Sequence, residues 1–318
     1  MTEFKNILIL GSGTVGQATG RGFLERQHKV VFLDISDDLI KRLKGEGLEA
    51  HIVGYEKEHP ADFIMVCIST PPSEDTGAVN LDYIKEGMKT VGRILSQHFD
   101  SWPVVVIRST VPPGTTKKTL IPLMEKYSGR KAGRHFGVCM NPELLRATSS
   151  VNDFAHPWAT VIGEMSKRSG NLLEQLYRPF GGKLFRMTLD EAEFLKYTHN
   201  LRNAAVISFY NELWQLAKRL GIDPNPLFAA TAVTAESAWN PAYGSVGGFP
   251  FGGTCLPKDT HALLYFAESL GQEMPLLAAV IKVNEKMQEL ASQGTIPPAK
   301  IEGHKWMPSP SHKKGVSK

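Results

Sequence analysis

Cys255 stands in the segment Gly252-Gly253-Thr254-Cys255-Leu256-Pro257-Lys258-Asp259, with two bare glycines on one side and a cation and a carboxylate on the other. A thiol so placed is a candidate covalent nucleophile, because the thiolate attacks carbonyl carbon and cationic surroundings favour the thiolate. A second motif lies at the opposite end of the chain. Gly11-Ser12-Gly13-Thr14-Val15-Gly16 follows the apolar run Asn6 to Leu10 and opens a helical stretch through Gln27. The next apolar run, Val30 to Leu33, ends on Asp34, 18 residues beyond Gly16. This is the spacing of a dinucleotide turn. Gly11 and Gly13 allow a tight turn and close approach to a pyrophosphate, Gly16 lets helix pack on strand, and the helix start at Thr14 faces the phosphates. Asp34 is then expected to accept hydrogen bonds from ribose hydroxyls and to repel a 2′-phosphate, which favours NAD over NADP. A hydride acceptor beside a nucleophilic cysteine implies oxidation of an aldehyde through a thioester. The plainer readings are a glycine turn without a ligand and a cysteine that is only a small buried hydrophobe, the reading given to Cys67 and Cys139 in their apolar runs.

The elements that must carry these groups follow from the pattern. Further strands are expected at Phe63 to Ile68, Val104 to Ile107 and Phe136 to Met140, each ending in a turn-forming segment: Ser69-Thr70-Pro71-Pro72, Arg108-Ser109-Thr110-Val111-Pro112-Pro113-Gly114, and Asn141-Pro142-Glu143. Ligands of an open parallel sheet bind beyond the carboxyl ends of its strands, so Thr70, Thr110 and Glu143 are expected to share one crevice. Helix capping is the competing reading for the Thr-Pro and Ser-Thr pairs. From Leu189 a long helix is predicted with an apolar face through Leu220, closed by Gly221 and Pro224, and it carries Lys196 and Asn200 four residues apart. That spacing sets an ammonium and an amide on one face, either as solvated surface or as a polar pair for a ligand. Shorter helices are expected at Pro226 to Glu236, Leu256 to Leu270 and Pro275 to Ala291. The fold class is therefore α/β, a Rossmann-type doubly wound parallel sheet followed by an all-helical domain with a long central helix. The expected boundaries are 1–188 for the NAD-binding domain, 189–292 for a helical catalytic and dimerisation domain, and 293–318 for a basic tail.

Composition narrows the partners. The chain has 318 residues, 42% of them hydrophobic, enough for two packed cores. Its net charge of +4 resides in the tail, where five lysines meet one glutamate between Ile296 and Lys318. The remaining 31 basic and 31 acidic residues cancel, so no nucleic-acid-binding face is implied. Three cysteines are too few and too far apart for a disulfide framework or a zinc site, and no metal is expected. The start lacks a leader pattern and no run reaches the ~18 apolar residues of a membrane span, so the expectation is a soluble cytoplasmic protein that does not engage a membrane.

The order of these pieces carries a resemblance to the UDP-glucose/GDP-mannose dehydrogenase family, which oxidises the primary alcohol of a sugar nucleotide to the acid with two NAD. The resemblance covers most of residues 4–290. It rests on the glycine turn, Ser69-Thr70-Pro71-Pro72, Ser109-Thr110-Val111-Pro112-Pro113-Gly114-Thr115, Asn141-Pro142-Glu143-Leu144-Leu145-Arg146, Lys196-Tyr197-Thr198-His199-Asn200 and the Gly252 to Asp259 segment. It implies that Cys255 is the nucleophile and Asp259 the carboxylate acting through a water as base. Lys196 and Asn200 would polarise the reacting oxygen, Glu143 would serve thioester hydrolysis, and Thr110 would lie near the nicotinamide and the catalytic water. Val15, Asp34, Thr70 and Lys258 match cofactor contacts, and Gly252 with Glu143, Lys196 and Asn200 would line the substrate. A homodimer through the long helix is implied as well.

The sequence also departs from that family. The third, C-terminal domain that holds the substrate's nucleotide has no counterpart after Ala291, the glutamate usual four residues after Glu143 is Ala147, and an arginine expected upstream of the glycine loop falls at Trp239. These changes touch substrate recognition, so a smaller or altered alcohol or aldehyde, anionic or sugar-derived, is expected. Two rivals stand beside this reading: a two-electron hydroxyacid-type dehydrogenase using Lys196 and Asn200 without a covalent step, and a non-catalytic NAD-binding regulator.

Overall fold

In the computed structural model, described for residues 4–54, 61–73, 75–97, 101–146, 148–240, 243–245, 247–253 and 255–296, the expected Rossmann-type sheet is present. Ala147 and the tail from residue 297 lie outside the described residues. The chain runs β1 (Asn6–Leu10), α1 (Thr14–Glu25), β2 (Lys29–Asp34), α2 (Asp37–Gly45), β3 (Ala50–Ile52), β4 (Phe63–Val66), α3 (Asp82–Leu95) and β5 (Val104–Ile107). A π-helical turn (Thr116–Leu120) leads into α4 (Ile121–Ser128), followed by β6 (Gly137–Met140), α5 (Ser150–Ala155), β7 (Ala159–Glu164), α6 (Lys167–Tyr177) and β8 (Lys183–Thr188). The helical part is α7 (Leu189–Arg219), α8 (Pro224–Thr234), α9 (Glu236–Trp239), α10 (Cys255–Ser269) and α11 (Pro275–Ser292).

Strand residues point alternately to opposite faces, and β1 is apolar on both. Leu8 and Leu10 join one buried cluster with Val66, Ile107, Met88 of α3 and Met124 of α4. Ile7 and Ile9 join a second with Phe32, Val106, Phe23 of α1 and Tyr177 of α6. A sheet apolar on both faces has to be covered on both, which is the layer logic of a doubly wound fold. Burying each such side chain contributes about 1.5–3 kcal/mol.

Among the described residues the sheet order is β3-β2-β1-β4-β5-β6-β7-β8, with β1 flanked by β2 on one side and β4 on the other. That reversal of winding opens a crevice beyond the C-terminal ends of β1 and β4. The expected parallel sheet needs one correction, because β7 pairs antiparallel with β6, Met140 opposite Gly163. The helix between them, α5, has only six residues. At about 1.5 Å per residue it is too short to return the chain along the sheet, and an antiparallel neighbour needs no such return.

By internal contacts the chain divides into two units, Met1–Asn200 and Leu201–Lys318, and α7 begins in the first and continues into the second. Among the described residues the second unit is helical. Leu216, Ala267 and Met274 form its buried centre. Glu212 accepts the backbone N–H groups of Leu276 and Leu277 at 2.7 and 3.0 Å, satisfying two of the open donors at the start of α11. Among the described residues no helix is long and apolar enough to cross a membrane.

Candidate active site

The glycine turn folds as its sequence requires. Gly11 has φ +90° and donates its N–H to the Leu33 carbonyl at 2.9 Å; a Cβ there would meet the Cys67 carbonyl at 2.8 Å. A Cβ on Gly16 would collide with the Gly11 carbonyl, so helix and turn touch only because that position has no side chain. Gly13 caps α1 without a side-chain hydrogen bond. The first N–H groups of α1 are thus open to an anion, and the helix dipole favours one.

Above this turn is a cavity of about 1250 Å³ lined by Gly11, Gly13, Thr14, Val15, Asp34, Thr70, Thr110 and Glu143, together with Ile35, Leu39, Cys67 and Arg108. Eight of the positions named from the sequence therefore share one crevice, while Gly16 lies beneath it as a packing contact. Asp34 ends β2, and its two oxygens accept N–H bonds from Ser12 at 2.6 Å and Ser36 at 3.0 Å. Each oxygen keeps a further lone pair, and the carboxylate is fixed in orientation by the backbone. A bare helix N-terminus with an oriented carboxylate across an apolar wall of Ile35 and Leu39 fits the pyrophosphate and the adenosine ribose of NAD.

The loops after β4, β5 and β6 are tied to each other. Thr70 donates to the Thr110 carbonyl at 2.7 Å and Ser109 to the Ile68 carbonyl at 2.6 Å. Arg108, which the sequence did not single out, is buried and donates to Asn141 and, at 2.7 Å, to the Tyr177 hydroxyl. Asn141 in turn donates to the Val161 carbonyl at 2.6 Å.

Glu143 and Lys196 were reached separately from the sequence and are partners in the structure. The buried Lys196 ammonium donates to the Glu143 carboxylate and to its backbone carbonyl, both at 2.7 Å, while Leu145 N–H donates to the other carboxylate oxygen at 2.8 Å. An ammonium has three donors, so one remains for a ligand. Asn200, one turn further on, is exposed. Glu193, one turn before Lys196, was missed. It is fully buried and accepts from two backbone N–H groups of the loop after β5. Burial, and then the Glu193 charge, push the Tyr197 hydroxyl up from its ordinary pKa.

The remaining predicted residues belong to the second unit. Cys255 opens α10 and is exposed, and Asp259 follows one turn later, also exposed. Lys258 forms an ion pair with Asp259, whose hydrogen bond raises the lysine pKa. Gly252 and Gly253 are exposed, and Phe251 before them is anchored by Asn284, which accepts from its N–H at 2.7 Å and donates to its carbonyl at 3.0 Å. The glycine segment thus enters α10 from a fixed point. Trp239 ends α9 half exposed. None of the three cysteines is in a disulfide.

A doubly wound sheet whose glycine turn, bare helix start and strand-end carboxylate enclose one crevice defines an NAD-binding dehydrogenase. Comparison with known proteins agrees. Residues 46–181 match the NAD binding domain of the UDP-glucose/GDP-mannose dehydrogenase family and residues 190–286 match its central domain. A GDP-mannose 6-dehydrogenase of Pseudomonas putida is 36% identical, over 90% of this chain and 69% of that protein. A UDP-glucose 6-dehydrogenase of Bacillus subtilis is 33% identical, over 89% of this chain and 64% of its own length. Among solved structures, a ternary complex of GDP-mannose dehydrogenase from Pseudomonas aeruginosa superposes with a TM-score of 0.84 at 33% identity, covering 91% of this chain and 70% of that one. The chain belongs to the UDP-glucose/GDP-mannose dehydrogenase family. It is an NAD-dependent dehydrogenase that acts on a CH–OH group, alcohol to acid.

Proposed function

We propose that this enzyme oxidises a primary alcohol to the carboxylic acid in two hydride transfers, with the second half of the reaction carried on Cys255. The observation that carries the reading is an exposed thiol at the first residue of α10, one turn from Asp259 and fed by an anchored glycine segment, in a chain that also holds an NAD crevice. NAD, when bound, supplies the hydride acceptor. A water held by Asp259 takes the hydroxyl proton, and Lys196 with Asn200 steadies the reacting oxygen. The Cys255 sulfur then bonds the aldehyde carbon, giving a thiohemiacetal that loses the second hydride to become a thioester. Water assisted by Glu143 and Thr110 breaks the carbon–sulfur bond and restores the thiol. In sum, one alcohol, one water and two NAD give one acid, two NADH and two protons.

Trp239, at the position of a family arginine, supports a substrate altered from the nucleotide sugars of the relatives. The test is a panel of GDP-mannose, UDP-glucose and small anionic primary alcohols with NADH and acid counted together. Two NADH per acid are expected. One NADH per product would establish the two-electron rival, and tight NAD binding with no turnover across the panel would establish the regulator.

The second unit also supports a homodimer. Ile207 and Trp214 of α7, seven residues apart on one helical face, are 61 and 47% exposed, apolar surface that a partner subunit would cover. Light scattering is expected to give twice the monomer mass of 35.1 kDa, and a monomer at micromolar concentration would count against it.

A further inference from the structure

Glu193 is a fully buried carboxylate, and among the described residues no lysine, arginine or histidine forms an ion pair with it. Its Oε2 accepts the Gly114 N–H at 2.5 Å and its Oε1 the Thr116 N–H at 2.7 Å. Those donors lie 79 and 77 residues earlier, where the loop after β5 turns at Gly114, φ +89°, into the helical segment Thr116–Leu120. A charge removed from water is costly, and two charge-assisted bonds at a helix N-terminus offset that cost. Other hydrogen bonds hold the loop as well. Thr70 holds the Thr110 carbonyl, Ser109 holds Ile68, and Thr115 donates to the Pro112 carbonyl at 2.6 Å. What Glu193 adds is a fixed register between this loop and α7.

The same turn of α7 carries Lys196, three residues on, whose two bonds hold Glu143 of the loop after β6. Residues three apart lie on one face of a helix. One helical face therefore clamps both loops, an anion gripping the loop with Thr110 and a cation gripping the loop with Glu143. Both of those residues line the crevice. We propose that Glu193 is a positioning residue: through its grip on Gly114 and Thr116 it sets Thr110 against Glu143, so that the two address one water. This rests on the reading that Thr110 and Glu143 serve hydrolysis of the Cys255 thioester. Displacement of such groups by about 1 Å costs on the order of 10²-fold in rate.

The test compares Glu193→Gln, Glu193→Asp, Thr110→Ala and the double variant Thr110→Ala/Glu193→Gln, with kcat read on whichever alcohol of the panel the wild type turns over, GDP-mannose first. Glutamine sets an amide N–H₂ against a backbone N–H, whereas aspartate keeps both acceptors one methylene short. Glu193→Gln is expected to lower kcat about 10²-fold while KM and calorimetric Kd for NAD change less than threefold. Glu193→Asp should be intermediate, and it carries the test if the glutamine form fails to fold. The double variant should be no slower than Thr110→Ala alone within threefold, because both changes act through one loop. Independent losses that multiply, or an unchanged kcat in both Glu193 variants, would overturn the inference while leaving the functional reading intact. A wild-type kcat in Thr110→Ala would instead remove the reading of Thr110, and the inference with it.

Discussion

Replacing Cys255 by serine is expected to lower acid formation at least about 10³-fold, since a hydroxyl is far less ionised than a thiol and gives no thioester. The fold should survive, because the position is exposed and serine differs from cysteine only in the γ atom. The two remaining thiols cannot take over. Burial pushes Cys67 up to about 11, with Arg108 only partly opposing it, and Cys139 up to about 12. A raised thiol pKa means thiolate appears only as pH climbs toward that value, so near neutral pH Cys67 stays a thiol. Cys67 lines the crevice, yet its raised pKa keeps it a weak nucleophile near neutral pH. The first hydride step does not use sulfur, so Cys255→Ser should still release aldehyde with one NADH, and intact mass should show no adduct. Acid formed by Cys255→Ser at the wild-type rate, with two NADH per acid, would refute the covalent path, whereas a wild type that itself makes only a carbonyl compound with one NADH would leave the two-electron rival standing.

The part of the site that was legible in sequence is the part built from neighbours in the chain. Gly11, Gly13, Gly16 and Asp34 declare themselves because turn, helix start and strand end follow one another within one βαβ unit. The long helix was legible for the same reason, its apolar periodicity running to Gly221 and Pro224. What escaped was set by distance. Glu193 reads from sequence as an ordinary acid on a helix, and only folding brings it to donors 77 and 79 residues away. Lys196 and Glu143 were each found, yet their bond spans 53 residues and no local pattern announces it. Strands β3 and β8 were missed for another reason, and β7 was missed with them. β3 has three residues, and β8, Lys-Leu-Phe-Arg-Met-Thr, lies at the sheet edge where charges interrupt the apolar run that marks central strands.

Glu143→Gln should separate the hydride steps from hydrolysis. The amide has the shape of the carboxylate and one oxygen for Lys196, and the Glu143 backbone carbonyl still takes its bond from the same ammonium. The side chains are only 7% and 17% exposed, so removing the negative charge leaves a buried cation without its counterion. The expected destabilisation is about 2–3 kcal/mol, less than for a pair broken outright, because both Lys196 bonds keep acceptors and only the Leu145 N–H loses its own. Catalytically, the alcohol should pass through both hydride transfers and stop at the thioester. A rapid burst of two NADH per active site is expected, followed by steady turnover about 10²–10³-fold below wild type. Intact mass taken after the burst should show one acyl group, and that mass would identify the substrate. Slow turnover without a burst would place Glu143 before the thioester, as a holder of Lys196 in the oxidative steps. Wild-type turnover would show that the Lys196–Glu143 pair serves only to join α7 to the loop after β6.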